Sequence, residues 1–151
     1  MFKLYSKWQM RLLPYLQDGF LLLVRIHWGI GFFKAGYGKF MHLDRTVSYF
    51  QTLGLPFPTV QVLLAATVEL IGGGLLCVGL GSRIVTVPLI FTMIVAFATA
   101  HSEALYSLAD YPSIKPFLTA EPFLYLLAAL IVLLFGPGKL SLDSMRFTRR
   151  R

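Results

Sequence analysis

The chain has 151 residues, of which 56% are hydrophobic and 14% are charged, and its formal net charge is +7. A soluble domain usually carries about 25% charged residues, so this composition excludes an ordinary soluble core and favours one polytopic membrane domain. The basic residues lie mostly at the two ends of the chain. There they predict contact with anionic lipid rather than with nucleic acid.

The first segment, residues 1–18, has the pattern of a basic amphipathic helix. Lys3, Lys7 and Arg11 recur every four residues, and apolar side chains cover most of the opposite side. This arrangement is typical of a helix that lies in the membrane interface with its basic edge toward the lipid headgroups. Pro14 is expected to end or kink this helix.

The first predicted membrane span, residues 19–40, is unusually polar for such a helix. At about 100° per residue, its polar and glycine residues divide into two opposite faces. One face carries Arg25, Gly29, Phe32, Gly36 and Lys39, and the other carries His27, Gly31, Lys34 and Gly38. Two such faces predict that the helix contacts protein on both sides, either at the centre of the molecule or at a subunit interface.

A short helix is predicted between the first and second spans, over residues 45–53. Asp44 is the expected N-cap of this helix, and Gly54 is the expected stop after its C-terminus. The prolines at positions 56 and 58 are then suited to begin the second span.

The second span, residues 59–80, is apolar except for Glu69 near its middle. About 20 apolar residues are enough to cross a bilayer, and an acid at the centre costs about 2.5 kcal/mol or more. Glu69 is therefore expected to face inward and to pair with a cation. Such a pair can serve function, or it can serve only to fix the arrangement of the helices.

The third and fourth spans are predicted over residues 84–101 and 121–136, and the basic tail, residues 139–151, is expected to fray. The three basic regions are the N-terminal segment, the turn that contains Arg83, and the tail. Because these regions fall on one side of a four-span protein, both termini are predicted to be cytoplasmic. The predicted fold is thus all-α, with a four-helix transmembrane domain over residues 19–138.

The depth of each charged residue follows from placing the centre of each span at mid-bilayer. Arg25 then lies roughly 6 Å from Glu69 toward the cytoplasm, and Lys34 lies roughly 7 Å outward. The predicted pair is therefore Arg25–Glu69 or Lys34–Glu69. An outer ring is predicted to contain Lys39, His101, Glu103 and Glu121.

Four segments, in this order, resemble the DoxX family of small four-helix membrane proteins. They are VRIHWGIGFFKAGYGKF, YFQTLGLPFP, VELIGGGLLCVGLGSR and GPGKLSLD, and the match runs from about residue 20 to residue 143. The residues that carry it are Arg25, Gly29, Gly36, Lys39, Gly54, Leu55, Pro56, Glu69, the run Gly72 to Gly74, Arg83, His101, Gly136 to Gly138, Ser141, Leu142 and Asp143.

The resemblance implies a protein of the bacterial inner membrane and a subunit of a quinone-linked or oxidative-stress redox complex. In that role Glu69 and His101 would move protons for a non-covalently bound quinone. The ligand-binding residues would be Arg25, Lys39, Lys34 and Trp28. The structural residues would be Gly29, Gly36, Gly72, Gly73, Arg83, Gly136, Gly138 and Asp143.

Two other functions are compatible with the sequence. One is a non-catalytic membrane partner that recruits or stabilises an enzyme, with another redox protein or a second copy as its neighbour. The other is a carrier of protons or small solutes that uses Glu69, although the chain lacks the internal repeat typical of such folds. No metal site is expected, because the three histidines lack ligand spacing.

Overall fold

The computed structural model describes residues 2–107 and 114–148, and the side chains of residues 12–107 and 114–145. Within these ranges the regular structure is entirely helical, so the all-α prediction is confirmed. The helices are α1 (Phe2–Met41), α2 (Leu43–Thr52), α3 (Pro58–Val78), α4 (Ser82–Thr99), α5 (Ser102–Tyr106), α6 (Lys115–Thr119), α7 (Glu121–Phe135) and α8 (Leu142–Thr148).

In the described part of the chain, two helices, α3 and α4, are long and apolar enough to cross a membrane, and α7 is a shorter apolar helix. The second and third predicted spans coincide with α3 and α4 to within two residues at each end. Helix α3 begins at Pro58, as the sequence predicted, because proline at the first helical position loses no intrahelical hydrogen bond.

Helix α1 contains 40 residues, and it is about 60 Å long, twice the thickness of a bilayer's apolar core. Pro14 lies inside this helix, so the expected end of the helix at Pro14 is not observed. A proline removes only one backbone hydrogen bond, and the leucines on either side of Pro14 favour a continuous helix. The side chains of Lys3, Lys7 and Arg11 lie outside the described residues, so the basic membrane-facing edge stays a prediction.

The four longest helices contact one another in a ring. Helix α1 packs on α3, α3 on α4, α4 on α7, and α7 on α1. All four contribute to one apolar core, which contains Phe32, Leu76, Leu89, Met93 and Val132. This ring has two ends. We call the end near α2 and α5 the cavity end, and the end near residues 136–143 the closing end.

Helices α1 and α3 approach each other closely along a row of glycines. A Cβ atom on Gly29 would lie 2.9 Å from the carbonyl oxygen of Gly73, and one on Gly73 would lie 2.6 Å from the carbonyl oxygen of Gly29. On Gly36 a Cβ atom would lie within 3.0 Å of backbone atoms of Leu70 and Ala66. Because backbone atoms cannot move aside as flexible side chains can, only glycine fits this contact.

Helix α2 confirms the predicted stop but not the predicted cap. Gly54 has φ +71°, and the N–H groups of Gly54 and Leu55 donate to carbonyls of the last helical turn, as in a Schellman motif. The helix starts two residues earlier than predicted, so His42 is its N-cap residue and Asp44 lies in its first turn. An acid in the first turn still interacts favourably with the helix dipole.

The tail also differs from the prediction, because helix α8 forms where fraying was expected. The N–H group of Ser144 donates to the Ser141 hydroxyl at 3.2 Å, and the N–H group of Asp143 donates to the Gly79 carbonyl at 3.0 Å. These bonds fix the first turn of α8, and a serine hydroxyl is a favourable N-cap acceptor. The last three residues lie outside the described part of the chain.

Candidate functional site

Glu69 pairs with Lys39 on the neighbouring helix α1. The Lys39 ammonium donates a hydrogen bond to Oε2 of Glu69, and the exposed fractions of the two side chains are 24% and 5%. The prediction that Glu69 is buried and neutralised by a cation agrees with this geometry. The prediction of Arg25 or Lys34 as that cation is wrong.

The relative alignment of α1 and α3 explains why Lys39 is the partner. Gly36 lies against Ala66 and Leu70, so the level of Glu69 on α3 corresponds to residues near position 35 on α1. Side chains on a helix lean toward its N-terminus, and the two helices are antiparallel. Lys39 and Glu69 therefore lean toward each other across about one helical turn. Arg25 is 14 residues from Lys39, a separation of about 21 Å along the helix.

The ion pair lies on the wall of a cavity of about 770 Å³ at the cavity end. Helices α1, α2, α3, α4 and α7 all contribute to its lining, which is mostly apolar. The lining also includes His101, where α4 ends, and Glu121, where α7 begins. The remaining polar side chains of the lining are those of Tyr49, Gln61, Thr92, Thr99 and Tyr125.

The structure thus brings together three of the residues that the sequence nominated, Lys39, Glu69 and His101. His101 is partly buried, and its ring lies 6.5 Å from that of Phe97, centroid to centroid. Beside one apolar space, the ammonium group and the imidazole can donate hydrogen bonds to a bound molecule, and the carboxylate and the imidazole can exchange protons with it.

Trp28 and Lys34 do not line this cavity. Trp28 packs edge-on against Tyr125, with ring centroids 4.9 Å apart, and Tyr125 in turn packs edge-on against Phe32 at 4.8 Å. Tyr125 and Phe32 reach the cavity wall, so Trp28 supports the lining from behind. Lys34 is exposed on the outside of α1.

Arg25 belongs to the closing end rather than to the cavity. Its side chain is fully buried, and its Nη2 atom donates a hydrogen bond to the carbonyl oxygen of Leu140 at 2.5 Å. A Cβ atom on Gly79 would collide with the Arg25 guanidinium, so the absence of a side chain at Gly79 makes room for this arginine. Arg25 therefore connects α1, the end of α3 and the segment that follows α7.

Three of the predicted structural residues, Arg83, Gly136 and Gly138, also lie at the closing end. Arg83 lies beside Gly136, where a Cβ atom would be 3.2 Å from the guanidinium, and Gly136 has φ +81°. Gly138 lies close to Asp18, whose Oδ1 atom accepts the N–H of Lys139 at 2.9 Å. Gly72 instead faces α4, because a Cβ atom there would touch the Leu89 side chain at 3.1 Å.

Asp143 caps helix α4 from a distant part of the chain. Its two carboxylate oxygens accept the N–H groups of Gly81 at 2.8 Å and Ser82 at 3.0 Å. These N–H groups lie at the start of α4, where backbone donors lack intrahelical partners and where a negative charge is favoured by the helix dipole.

Replacing Asp143 with alanine is expected to lower the free energy of unfolding by about 2 kcal/mol, because it removes two hydrogen bonds to a charged acceptor. The matched control is Asp44→Ala, since Asp44 is exposed and caps no helix. That control is expected to change the free energy by less than about 1 kcal/mol. Unfolding in mixed micelles, followed by circular dichroism during a dodecyl sulfate titration, compares the two. Equal effects of both substitutions would contradict a capping role for Asp143.

Sequence reasoning missed Tyr125 and Asp18. Tyr125 follows Glu121 by four residues, so both lie on one face of α7, and this spacing in an apolar span was the available signal. Asp18 was an isolated acid between two apolar segments, and nothing local indicated its bond to the main chain of Lys139. Among the described residues, no three potential metal ligands come together.

The fold and the cavity define a small all-helical protein that has membrane-capable helices and a buried ion pair beside an apolar space. The chain belongs to the DoxX family, whose profile matches residues 20–102, and it is a membrane protein of that family. The resemblance identified from the sequence is thus confirmed.

Three relatives cover most of the chain. "Putative oxidoreductase CatD" of Bacillus subtilis is 34% identical over 132 residues, which are 86% of this chain and 89% of the relative. The "Uncharacterized membrane protein Rv3486" of Mycobacterium tuberculosis is 32% identical, with coverages of 82% and 78%. "Inner membrane protein YphA" of Escherichia coli is 31% identical, with coverages of 82% and 87%. No solved structure matches the chain.

Proposed function

We propose that this protein is a subunit of a quinone-linked or oxidative-stress redox complex of the bacterial inner membrane, and that the cavity holds the quinone headgroup. The observation that carries the proposal is an apolar cavity of about 770 Å³ with Lys39, Glu69 and His101 on its wall. The names of two relatives, one an oxidoreductase and one an inner membrane protein, agree with it.

The residues of the cavity fit a quinone by size and by chemistry. Sites for small organic molecules usually have volumes of about 300–1,000 Å³ and an apolar lining with a few polar groups. A quinone ring is apolar apart from its carbonyl oxygens, and it accepts two electrons and two protons when it is reduced. The lining of this cavity is mostly apolar, and its cationic and acidic groups are few.

Each polar group has a distinct role in this proposal. Lys39 has three N–H donors and uses one on Glu69, which leaves donors for a carbonyl oxygen of the bound molecule. Glu69 and His101 hold and pass protons, and Glu121 lies with them on the cavity wall. Arg25, Lys34 and Trp28 have no direct part, because none of them lines the cavity.

The proposed topology has four spans, formed by the second half of α1 and by α3, α4 and α7. Lys and Arg residues are concentrated in the N-terminal segment, in the α3–α4 turn and in the tail. These regions are therefore assigned to the cytoplasmic side, where anionic lipids also attract the basic segments. The cavity end then faces outward.

The test fills the cavity without touching its charged groups. Ala96→Phe places a large ring in the cavity, whereas Ala98→Phe places the same ring on the exposed side of α4. Short-chain benzoquinone and naphthoquinone analogues are titrated into the purified protein by calorimetry. Binding is expected to weaken about tenfold or more in Ala96→Phe, a loss of about 1.4 kcal/mol or more, and to be unchanged in Ala98→Phe.

The same preparation separates this function from that of a non-catalytic partner. A solvent extract of the protein, purified in mild detergent, is expected to contain quinone. A folded wild-type protein that carries no quinone and binds neither analogue would contradict the proposal and would favour the partner role. Equal binding by both phenylalanine variants would place any quinone site outside this cavity.

A further inference from the structure

Of the second predicted face of α1, Gly31 packs against Tyr125 of α7, and the His27 ring lies edge-on to Trp28 with centroids 5.0 Å apart. The outer part of this face, formed by His27, Lys34 and Gly38, has no protein neighbour among the described residues that neutralises the charge of Lys34. His27 and Lys34 are exposed, and Lys34 makes no hydrogen bond or ion pair with a described residue. Gly38 faces open space, because a Cβ atom there would have nothing within 4 Å. The opposite face of α1 is buried against α3, so the two predicted faces have different neighbours.

Lys34 lies near the middle of the membrane in the four-span topology proposed above. Helix α3 runs over Pro58–Val78, and Gly36 lies against Ala66 and Leu70, which flank the centre of that helix. Lys34 is two residues from Gly36, a displacement of about 3 Å along α1. A lysine at this depth is among the most costly side chains to leave against lipid.

Neither the lysine's own length nor a second copy of the chain removes this cost. The nearest headgroup region is about 15 Å away, which is farther than a four-carbon stem extends. A second copy would need an accessible carboxylate at the same depth. Among the described residues the carboxylate at this depth is Glu69, and Glu69 is buried and already paired. Of the remaining described acids, Asp44, Glu103, Glu121 and Asp143 lie in short helices or at the start of α7. Asp18 lies within α1, but it is 16 residues from Lys34, a separation of about 24 Å along the helix.

We propose that the face formed by His27, Lys34 and Gly38 docks a transmembrane helix of a different protein that carries a carboxylate at mid-depth. Charge complementarity selects the carboxylate, because a buried cation requires a paired and hydrogen-bonded neighbour. The open space at Gly38 lets the partner's backbone approach α1 closely, one helical turn from Lys34. This interaction rests on the proposed topology but not on quinone binding, because Lys34 does not line the cavity.

The test uses a designed membrane peptide in place of the partner. A polyleucine helix with one central glutamate, labelled with an acceptor fluorophore, is inserted into phosphatidylcholine bilayers that contain the donor-labelled protein. Energy transfer is expected to show association about tenfold tighter than with the peptide that carries glutamine instead. Lys34→Met is expected to abolish that preference, and Lys115→Met, which removes an exposed cation of α6, is expected to retain it.

Three results would overturn the proposal. Equal association of the two peptides, or an undiminished preference in Lys34→Met, would show that Lys34 does not recruit a carboxylate. Energy transfer between two copies of the protein that Lys34→Met abolishes would assign the face to a second copy. A fluorophore attached to the Lys34→Cys variant, in a Cys77→Ala background, would reject the depth assignment if midplane-brominated lipids left it unquenched. Quinone binding would still be judged by the cavity variants alone.

Discussion

Replacing Glu69 with leucine is expected to lower the free energy of unfolding by about 3 kcal/mol. The substitution leaves the Lys39 ammonium without its counter-ion, and breaking a buried pair by removing one partner typically costs about 3–5 kcal/mol. The lower end applies because about a quarter of the Lys39 side chain, 24%, remains exposed. Dodecyl sulfate unfolding in mixed micelles measures the loss.

The double variant Lys39→Met with Glu69→Leu is expected to recover most of this loss. Replacing both members of a buried pair with apolar residues is often neutral for stability, so the two substitutions should couple by about 2 kcal/mol or more. Lys34→Met is the matched control, because it removes an exposed lysine from the same helix. Additive effects of the two single substitutions would show that the ion pair does not stabilise the fold.

The double variant also distinguishes a structural pair from a functional one. If the pair only fixes the arrangement of α1 and α3, the refolded double variant keeps its affinity for the quinone analogues. If the pair serves the proposed function, the double variant folds but binds the analogues about tenfold more weakly, because the cavity has lost the ammonium donor of Lys39. The two interpretations thus predict the same recovery of stability in the double variant but different affinities for the quinone analogues.

Helical periodicity was enough to group the residues of α1 that pack against α3, but it also predicted protein contact on the opposite face, where His27 and Lys34 are exposed. Arg25, Gly29, Phe32 and Gly36 recur at helical spacing, and the structure buries all four. Periodicity is a local property of the sequence, so it can be recognised without knowing where the neighbouring helices lie. The same reasoning located α3 and α4 to within two residues at each end.

The partner of Glu69 could not be found in this way. The prediction centred each span independently at mid-bilayer, which placed Arg25 and Lys34 closer to Glu69 than Lys39. The actual alignment of α1 and α3 depends on where Gly29, Gly36 and Gly73 meet, and that is a contact between distant parts of the chain. An error of about five to six residues, or about one and a half helical turns, was enough to change the partner.

The closing end shows a second limit of prediction from the sequence. Arg25 donates to the main-chain carbonyl of Leu140, 115 residues away, and a carbonyl acceptor has no sequence signature. Asp143 caps α4 across 62 residues, and a contact between such distant residues leaves no local pattern in the sequence. The sequence analysis nominated Arg25 as a ligand-binding residue. In the structure its side chain is fully buried at the closing end.

Replacing Gly36 with alanine is expected to destabilise the protein by about 3 kcal/mol, although the change adds only one methyl group. The new Cβ atom would lie within 3.0 Å of backbone atoms of Leu70 and Ala66, so α1 and α3 must separate. Overpacking of this kind usually costs about 1–3 kcal/mol, and the upper end applies because the colliding atoms belong to a rigid helix backbone.

Gly38→Ala is the matched control, because it makes the same chemical change two residues away in the same helix. A Cβ atom on Gly38 meets nothing within 4 Å, and alanine is a better helix former than glycine by about 1 kcal/mol. Gly38→Ala is therefore expected to be neutral or stabilising, and equal losses in both variants would contradict the close contact at Gly36. Because Gly36 lies between Phe32 and Lys39 on one face of α1, separating the helices also draws Lys39 away from Glu69. The Gly36 variant is thus expected to lose quinone binding along with stability, whereas Ala96→Phe loses binding alone.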